Sequence, residues 1–260
     1  MKLSIVIVEY YSISDVIKCI KTINNTLNSE FEIIVSSNSE YSKLKQNEII
    51  EEFPICNWIF NDYNGGFAYA MNSGLSIATG DFLVIMNPDC VIKKGIDSMM
   101  QFLKNHPAIG AVGPQIIDNE GNIQDTCRNY VSFPSFVFRQ IKRIITRKES
   151  ILNTSFDYAK IQTVDWIIGA FIMVSRKAYE LTKGMSEDYF MYAEDLDWCT
   201  RIRKSGLEVV YYPKAIIEYK GTRSARKSKK YAKIFIKSHL TYWKKFGFIF
   251  GYPKRKKILF

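Results

Sequence analysis

A carboxylate stands close behind an uninterrupted apolar run. Residues 82–86 read FLVIM, and the chain then turns polar at Asn87-Pro88-Asp89. A lone carboxylate in such a place can bind a divalent cation if the substrate supplies the other ligands, because Mg²⁺ often takes one or two protein carboxylates plus phosphate oxygens and water. Pro88 would fix the turn that directs Asp89 out of the strand. Simple capping of the next turn by Asp89 is the alternative.

A second group of acids lies in the segment YAEDLDWCTR, residues 192–201. In a helix starting near Glu194, Asp197 and Arg201 are four positions apart and should pair. Asp195 has apolar and aromatic helical neighbours and no cation among them, and such neighbours disfavour the ionised carboxylate and raise its pKa, which suits a general base. Glu194 also lacks a cationic neighbour, so spacing does not choose between the two. Acids that merely favour the helix dipole are a further alternative. The helical neighbours of Asp195 would be Met191, Tyr192, Trp198 and Cys199.

The elements that position these acids follow a βαβ rhythm. Continuous apolar runs begin near residues 3, 31, 55 and 81, as expected for strands buried on both faces. Segments with helical character lie between them, at 14–27, 41–53 and 64–78. Right-handed crossovers would bring the carboxyl ends of all four strands to one edge, which is where open α/β sheets bind ligands.

Polar and small residues follow each of these strands. If the strands are parallel, the four exits converge on one crevice, although ordinary turn chemistry would select the same residue types. The exits read Glu9-Tyr10-Tyr11-Ser12, Ser36-Ser37-Asn38-Ser39, Asn61-Asp62-Tyr63-Asn64-Gly65-Gly66 and Asn87-Pro88-Asp89.

The later part of the chain predicts a mixed sheet. We expect a hairpin turning at 119–121, one strand over 164–175 in which Gly169 marks a close approach, a helix ending at Gly206, and two last strands in LEVVYYP and AIIEY. Residues 128–160 are interpreted as a flexible acceptor-side segment. Neither a P-loop nor a G-x-G-x-x-G motif is present, which disfavours P-loop phosphoryl transfer and a dinucleotide cofactor.

Composition narrows the class of protein. The chain has 260 residues and 47% hydrophobic content, enough for one large α/β domain, and no run of 18 apolar residues or signal peptide is visible. Five scattered cysteines without a CxxC motif predict reduced, buried thiols in a cytoplasmic protein. Two distant histidines disfavour a histidine-built zinc site.

The positive charge is concentrated in the C-terminal tail. Residues 220–260 hold 14 Lys and Arg and no acid. Since the net charge of the whole chain is +10, the first 219 residues carry a net charge of −4. A helix would place Lys230, Lys233, Lys237 and Lys244 on one face, with Tyr231, Phe235, Tyr242 and Phe246 beside them. Such a helix suits an anionic membrane surface. The alternatives are aromatics that pack on the main domain and, less favoured, nucleic-acid binding.

Several segments in order resemble glycosyltransferase family 2, in its rhamnosyltransferase-like branch. They are IVIVEYYS, EIIVSSNS, YNGGFAYAMNSGLSIATGDFLVIMNPD, DWIIGAFIMVSR, YFMYAEDLDWCTR and YKGTRS, and they span roughly residues 3 to 225. The resemblance implies a GT-A fold, a Rossmann-like, mainly parallel mixed sheet flanked by helices, over residues 1–225. Residues 226–260 would form a basic, aromatic extension.

The resemblance also implies roles for single residues. Asp89 would be the ligand of Mg²⁺ or Mn²⁺, and Asp195 the general base of an inverting transfer. Trp166, Gly169, Ala170, Glu194 and Tyr219 would lie on the acceptor or donor-sugar side. The nucleotide side would comprise Glu9, Tyr10, Ser37, Asn38, Asn64, Gly66, Asn72, Asn87 and Pro88.

The implied partners are a nucleotide-sugar donor, with dTDP-L-rhamnose as the best guess, and a glycan or polyprenyl-linked glycan acceptor. The implied setting is cell-surface polysaccharide synthesis on the inner face of the cell membrane, without nucleic acid. The chain departs from the family at Tyr11, usually Asn, at Glu9, usually Thr, at Ser37, usually a nucleobase-contacting Asp, and at Tyr219, usually His. A sugar nucleotidyltransferase and a non-catalytic nucleotide-sugar-binding subunit remain alternatives.

Overall fold

The computed structural model describes residues 1–130, 132–138, 155–221, 228–248 and 252–256. The strands are β1 (Lys2–Glu9), β2 (Glu30–Ser37), β3 (Cys56–Phe60), β4 (Phe82–Met86), β5 (Cys90–Lys94), β6 (Ile109–Ile117), β7 (Cys127–Arg128), β8 (Gln162–Thr163), β9 (Trp166–Ile167), β10 (Phe171–Ser175) and β11 (Glu208–Tyr219). The helices are α1 (Ile13–Thr26), α2 (Lys43–Glu52), α3 (Phe67–Ile77), α4 (Ile96–Asn105), α5 (Arg176–Thr182), α6 (Glu194–Lys204) and α7 (Lys229–Phe246).

The main sheet has the order β3-β2-β1-β4-β10-β6-β11-β5. The first four strands are parallel, as the spacing of the apolar runs predicts. The next strand, β10, is antiparallel to both of its neighbours. Alternate residues of β1 supply the cores on the two faces of the sheet, with Leu3, Ile5 and Ile7 on one face and Val6 and Val8 on the other. Because β1 to β4 are parallel, their carboxyl ends lie at the same edge of the sheet.

The prediction of one strand over 164–175 is wrong. The chain breaks at 168–170, because β9 pairs with β7 in a separate two-stranded ribbon whereas β10 enters the main sheet. The two strands predicted near the end are in fact the single strand β11. Its register shifts between Tyr212 and Ile216, where Pro213 offers no N–H to the ladder.

Two predictions about local structure are confirmed, and two elements were missed. The hairpin forms with Gly121 at φ 85° and an Asp118 N–H bond to the Asn122 carbonyl of 2.9 Å. All five cysteines are buried and unpaired, and burial raises the pKa of each thiol. Strand β5 and helix α4 were not predicted. The predicted acceptor-side segment, 128–160, lies partly outside the described residues, at 131 and 139–154.

The predicted C-terminal helix forms, but part of its aromatic face is buried in the protein. Tyr242, Trp243 and Phe246 pack with Tyr189 and Leu196 in one apolar cluster. The expectation that these three aromatics are free to meet a membrane is therefore wrong, because they complete the core. The four aligned lysines, at positions 230, 233, 237 and 244, are exposed as predicted.

The end of the tail also lies on the body. Tyr252 stacks on Tyr130 with ring centroids 4.7 Å apart, and Arg255 Nε donates to Asp165 Oδ1 at 2.8 Å. In the described part of the chain, no helix has both the length and the apolar character required to cross a bilayer. Residues 226, 227, 249–251 and 257–260 of the predicted extension lie outside the described residues.

Truncating Trp243 to Ala should destabilise the whole protein. Its side chain is 2% exposed, and loss of a buried Trp typically costs about 3–5 kcal/mol. Ile236 lies on the same helix at 53% exposure, so Ile236→Ala is the matched control and should change stability by no more than about 0.5 kcal/mol. Urea unfolding of both variants is the measurement. Equal stability of the two variants would show that the helix is not part of the core.

Candidate active site

A buried carboxylate joins the exits of β1 and β2. Glu9 is fully buried, and its oxygens accept hydrogen bonds from the hydroxyl groups of Ser37 at 2.5 Å, Ser39 at 2.9 Å and Tyr41 at 3.1 Å. The backbone N–H of Ser12 donates to it at 2.7 Å. These donors satisfy the carboxyl oxygens, which would otherwise be costly to bury. Glu9 and Ser37 thus hold two strand exits together.

Side-chain amides join the exits of β2 and β3 in the same way. Asn38 is buried and donates to Asn64 Oδ1 at 3.1 Å and to the Gly66 carbonyl at 3.0 Å, while Asn61 donates to Asn38 Oδ1 at 2.9 Å. Gly66 has φ 95°, and a Cβ there would lie 2.2 Å from the Phe190 carbonyl oxygen. Only glycine fits this close approach, which sets the start of α3.

The side chain of Asn72 is hydrogen-bonded to the loop that precedes α6. Its Oδ1 accepts from the Met185 N–H at 2.9 Å, and its Nδ2 donates to the Met185 carbonyl at 2.9 Å and to Glu187 at 2.8 Å. Among the residues predicted to contact a nucleotide, Glu9, Ser37, Asn38 and Asn72 therefore have internal partners, and Gly66 is buried. Direct contact of these five with a nucleotide stays a prediction. Tyr10 is exposed, and Asn64, Asn87 and Pro88 are partly exposed at the same edge.

The turn after β4 brings Asn87, Asp89 and Tyr219 together. Asn87 Nδ2 lies 3.2 Å from the Tyr219 hydroxyl, and Tyr219 pairs in register with Cys90 at the start of β5. Burial raises the pKa of Asp89, and the charge of Asp15 raises it further. Burial also raises the pKa of Tyr219, and the charge of Asp89 adds to that rise. Asp89 is therefore the acidic group of this turn, and the neutral side chains of Asn87 and Tyr219 lie beside it.

This arrangement fits a divalent cation that depends on its substrate for most of its ligands. A cation would relieve the repulsion between Asp89 and Asp15. Over the described ranges, no cluster of three or more His, Cys, Asp or Glu side chains could enclose a metal ion. An ion held by one or two carboxylates would complete its shell with phosphate oxygens and water.

Asp195 lies in the first turn of α6 and is fixed by two backbone groups. Its Oδ2 accepts from the Gly169 N–H at 2.8 Å, and its Oδ1 accepts from the Leu196 N–H at 2.7 Å. Burial raises the pKa of Asp195, whereas these two N–H groups and the charge of Arg128 oppose the rise. A Cβ on Gly169 would lie 3.3 Å from Asp195 Cβ, so the close approach at Gly169 is with this side chain and not with the ligand or second backbone that the sequence predicted.

Glu194 differs from Asp195 in having a buried oxygen without a partner. Its Oε2 is buried and makes no hydrogen bond. Burial raises the pKa of Glu194 well above its ordinary value, and the charge of Asp195 adds to the rise. Tyr192 and Ala193 precede it with φ of 70° and 67°, a strained left-handed pair that turns the chain into α6. Of the two adjacent carboxyls, Asp195 has two N–H donors that favour its charged form, whereas Glu194 Oε2 has none, so Glu194 holds a proton more tightly.

Residues 168–170 connect the two acidic sites. Asn87 N–H donates to the Ala170 carbonyl at 2.9 Å, one residue from the Gly169 N–H that binds Asp195. The β7–β9 ribbon continues this wall, and Arg128 lies over the Trp166 ring, 5.1 Å from its centroid. Sequence reasoning missed Arg128, because nothing local indicates that residue 128 pairs with residue 166.

Comparison with known proteins decides the family. Residues 4–181 match the profile of glycosyl transferase family 2. The chain belongs to this family. Residues 152–225 also match the profile of the N-terminal domain of galactosyltransferase.

Relatives with assigned names include two rhamnosyltransferases. An N-acetylglucosaminyl-diphospho-decaprenol L-rhamnosyltransferase of Mycobacterium tuberculosis is 28% identical over 154 residues, covering 56% of this chain and 49% of the relative. The rhamnosyltransferase WbbL of Escherichia coli strain K12 is 24% identical over 213 residues, covering 75% of each chain. The chain therefore spans about half the length of the mycobacterial relative.

Solved glycosyltransferases share the fold. The structure of GalNAc-T7 with UDP, GalNAc and Mn²⁺ aligns with a TM-score of 0.62 at 15% identity, over 84% of this chain and 43% of that one. The mannosyltransferase PcManGT of Pyrobaculum calidifontis, in complex with GDP-Man and Mn²⁺, aligns with a TM-score of 0.60 at 16% identity, over 94% of this chain and 64% of that one. The predicted GT-A fold is confirmed.

Replacing Glu194 by Gln should change how stability depends on pH. The folded protein holds the Glu194 proton more tightly than the unfolded chain, whose carboxyl titrates near pH ~4.3, so wild-type stability falls as pH rises above that value. Glu194→Gln removes this loss, and its advantage over the wild type should be larger at about pH 8 than at about pH 5.

Urea unfolding at both pH values measures the difference. The exposed Glu180 supplies the control variant, Glu180→Gln, which should show no such trend. An advantage of Glu194→Gln that does not grow with pH would contradict the proton assignment.

Proposed function

We propose that this chain transfers a sugar from a nucleotide-sugar donor to an acceptor hydroxyl, with inversion at the anomeric carbon. The observation that carries the proposal is the bridge at Gly169 and Ala170. The Gly169 N–H binds the predicted base Asp195. The Ala170 carbonyl binds the turn that carries Asp89. This juxtaposition fits a reaction in which a nucleophile enters from one side while a diphosphate departs on the other.

Asp195 is proposed to act as the general base. It accepts the proton of the acceptor hydroxyl while that oxygen forms a bond to the anomeric carbon. The bond from the anomeric carbon to the nucleoside diphosphate breaks, and the leaving oxygen takes the electron pair. The N–H groups of Gly169 and Leu196 hold the carboxylate in its charged form and fix its direction.

Asp89 is proposed to hold Mg²⁺ or Mn²⁺, with Tyr219 beside it. When bound, the ion would neutralise the charge that develops on the departing diphosphate. The solved structures of GalNAc-T7 and PcManGT contain Mn²⁺ together with a nucleotide or nucleotide sugar, which supports this assignment. The proposed donor sugar is L-rhamnose from dTDP-rhamnose, and the proposed acceptor is a polyprenyl-diphosphate-linked glycan of cell-surface polysaccharide synthesis. The names of the mycobacterial and E. coli relatives support these two choices.

A donor panel tests the reaction. The full chain is incubated with dTDP-, UDP- and GDP-sugars, Mn²⁺, and an N-acetylglucosaminyl diphosphate carrying a phenoxyundecyl chain, and NMR assigns the anomeric configuration of any product. We expect transfer with inversion that excess EDTA abolishes. Asp89→Ala should weaken nucleoside diphosphate binding in the same way, because it removes the proposed metal ligand.

Three results would contradict parts of this proposal. Transfer that persists in EDTA would exclude the metal role. Transfer of a nucleotide to a sugar phosphate would indicate a nucleotidyltransferase. Nucleotide-sugar binding without turnover across a broad acceptor panel would indicate a non-catalytic subunit.

The basic face of α7 is proposed to bind the anionic surface of the inner membrane leaflet. Because Tyr242, Trp243 and Phe246 are in the core, this attachment would be electrostatic rather than by insertion. Each Lys or Arg near an anionic leaflet contributes about 1 kcal/mol, so four aligned lysines suffice for reversible binding. The lysines concerned are Lys230, Lys233, Lys237 and Lys244, all exposed.

Replacing these four lysines by Gln should reduce co-sedimentation with anionic liposomes at low salt. Truncation of the tail is unsuitable, because it would open the core. The control replaces four exposed lysines on α1 and α2 by Gln, at positions 18, 21, 43 and 45, for the same change in net charge. Equal partition of the two variants would exclude a specific role for α7.

A further inference from the structure

Arg128 carries a guanidinium group whose donors are unused. Its Nε is buried without a hydrogen-bond partner, and within the described ranges no acceptor receives a bond from this guanidinium. Its one ion pair, between Nε and Asp125 Oδ2 at 3.3 Å, lacks hydrogen-bond geometry. The side chain is nevertheless 42% exposed, so a ligand can reach it from solvent.

Other arginines of the protein are used differently. Arg176 donates to the backbone carbonyls of Ala78 and Gly80 at 2.9 Å. Arg201 donates to Asp197 at 2.5 Å and to the Gly184 carbonyl at 2.7 Å. These two arginines bind other groups of the protein and so support the fold. The N–H groups of Arg128 that have no acceptor in the described residues can instead bind a ligand.

The position of Arg128 indicates which ligand this is. The guanidinium lies over the Trp166 ring, 5.1 Å from its centroid, and this contact keeps it beside the ribbon that leads to Gly169. It is near enough to Asp195 for its charge to lower that pKa, but it forms no salt bridge with Asp195, whose oxygens are taken by two backbone N–H groups. Arg128 thus lies on the side of the base, across residues 168–170 from Asp89.

We propose that Arg128 binds the phosphate or diphosphate attached to the acceptor sugar. This inference rests on the proposed function, in which Asp195 receives the acceptor hydroxyl. In an acceptor of the proposed class, one sugar ring separates the reacting hydroxyl from the diphosphate on its anomeric carbon. A planar guanidinium with free N–H groups is the side chain best matched to phosphate oxygens. The donor diphosphate belongs on the other side of the segment, at Asp89.

Two probes isolate the contribution of the acceptor diphosphate. Both carry N-acetylglucosamine and a phenoxyundecyl chain, joined through a diphosphate in one probe and by a simple glycosidic bond in the other. Calorimetry gives the Kd of each for the wild type, Arg128→Gln and Arg128→Lys. The control is Lys160→Gln, which removes an exposed cation paired, like Arg128, with an acid three residues earlier.

We expect the wild type and Lys160→Gln to bind the diphosphate probe more tightly than the plain glycoside. Arg128→Gln should lose about 10- to 100-fold in affinity for the diphosphate probe alone, the usual range for a charge-assisted hydrogen bond to a phosphate. Arg128→Lys keeps the positive charge but lacks the planar, paired N–H groups of a guanidinium, so it should recover part of that loss in affinity. Affinity for dTDP should not change in any variant.

Three outcomes would overturn the proposal. They are equal binding of the two probes by the wild type, an equal loss for both probes in Arg128→Gln, and a loss for dTDP instead of the diphosphate probe. If Arg128→Gln does not fold, Arg128→Lys still allows the proposal to be tested. Failure of the proposed function is distinguishable, because it would appear as absent sugar transfer by the wild type while the difference between the probes persists.

Discussion

The geometry of the cleft depends on one short backbone segment, residues 168–170. The Gly169 N–H holds Asp195, and the Ala170 carbonyl accepts from the Asn87 N–H, each within 2.9 Å. The segment can serve both sides because it lies between β9, which belongs to a small ribbon, and β10, which is central in the main sheet. Strand β10 is hydrogen-bonded on both sides, so the segment that joins the two acidic sites is anchored at one end to a central strand of the main sheet.

The acids at this edge of the sheet differ in charge state because their partners differ. Glu9 is fully buried, and its carboxyl oxygens accept hydrogen bonds from four donors that join two strand exits. Asp195 has two backbone donors and a nearby guanidinium, which oppose the rise in pKa that burial causes. Glu194 has an orphaned oxygen and retains its proton, whereas Asp89 has another carboxylate nearby and suits a cation. Burial raises the pKa of Asp89, Glu194 and Asp195 alike, so their different neighbours separate the roles of these three acids.

The parts of the fold that depend on local sequence were predictable. Four apolar runs predicted β1 to β4, and Gly169 inside an apolar segment predicted a close approach, which is made with Asp195. Features that depend on distant partners were not predictable. The break between β9 and β10 follows from pairing with residues 127 and 128, and the Arg128–Trp166 contact joins positions 38 apart. The four donors of Glu9 come from another part of the chain or from a turn, so the sequence did not indicate that its carboxyl group is buried. The aromatics of α7 have the same pattern whether they face lipid or a protein core.

The central claim is that two adjacent carboxyl groups, those of Asp195 and Glu194, have different roles. The most direct measurement compares the sugar-transfer rates of Asp195→Asn and Glu194→Gln, with nucleoside diphosphate binding measured on the same samples. We predict that Asp195→Asn loses on the order of 10²–10⁴ in rate while binding is retained, as expected for a lost general base. Glu194→Gln should keep most of its turnover. Near-wild-type transfer by Asp195→Asn, with transfer lost in Glu194→Gln, would contradict the account and assign the base to Glu194.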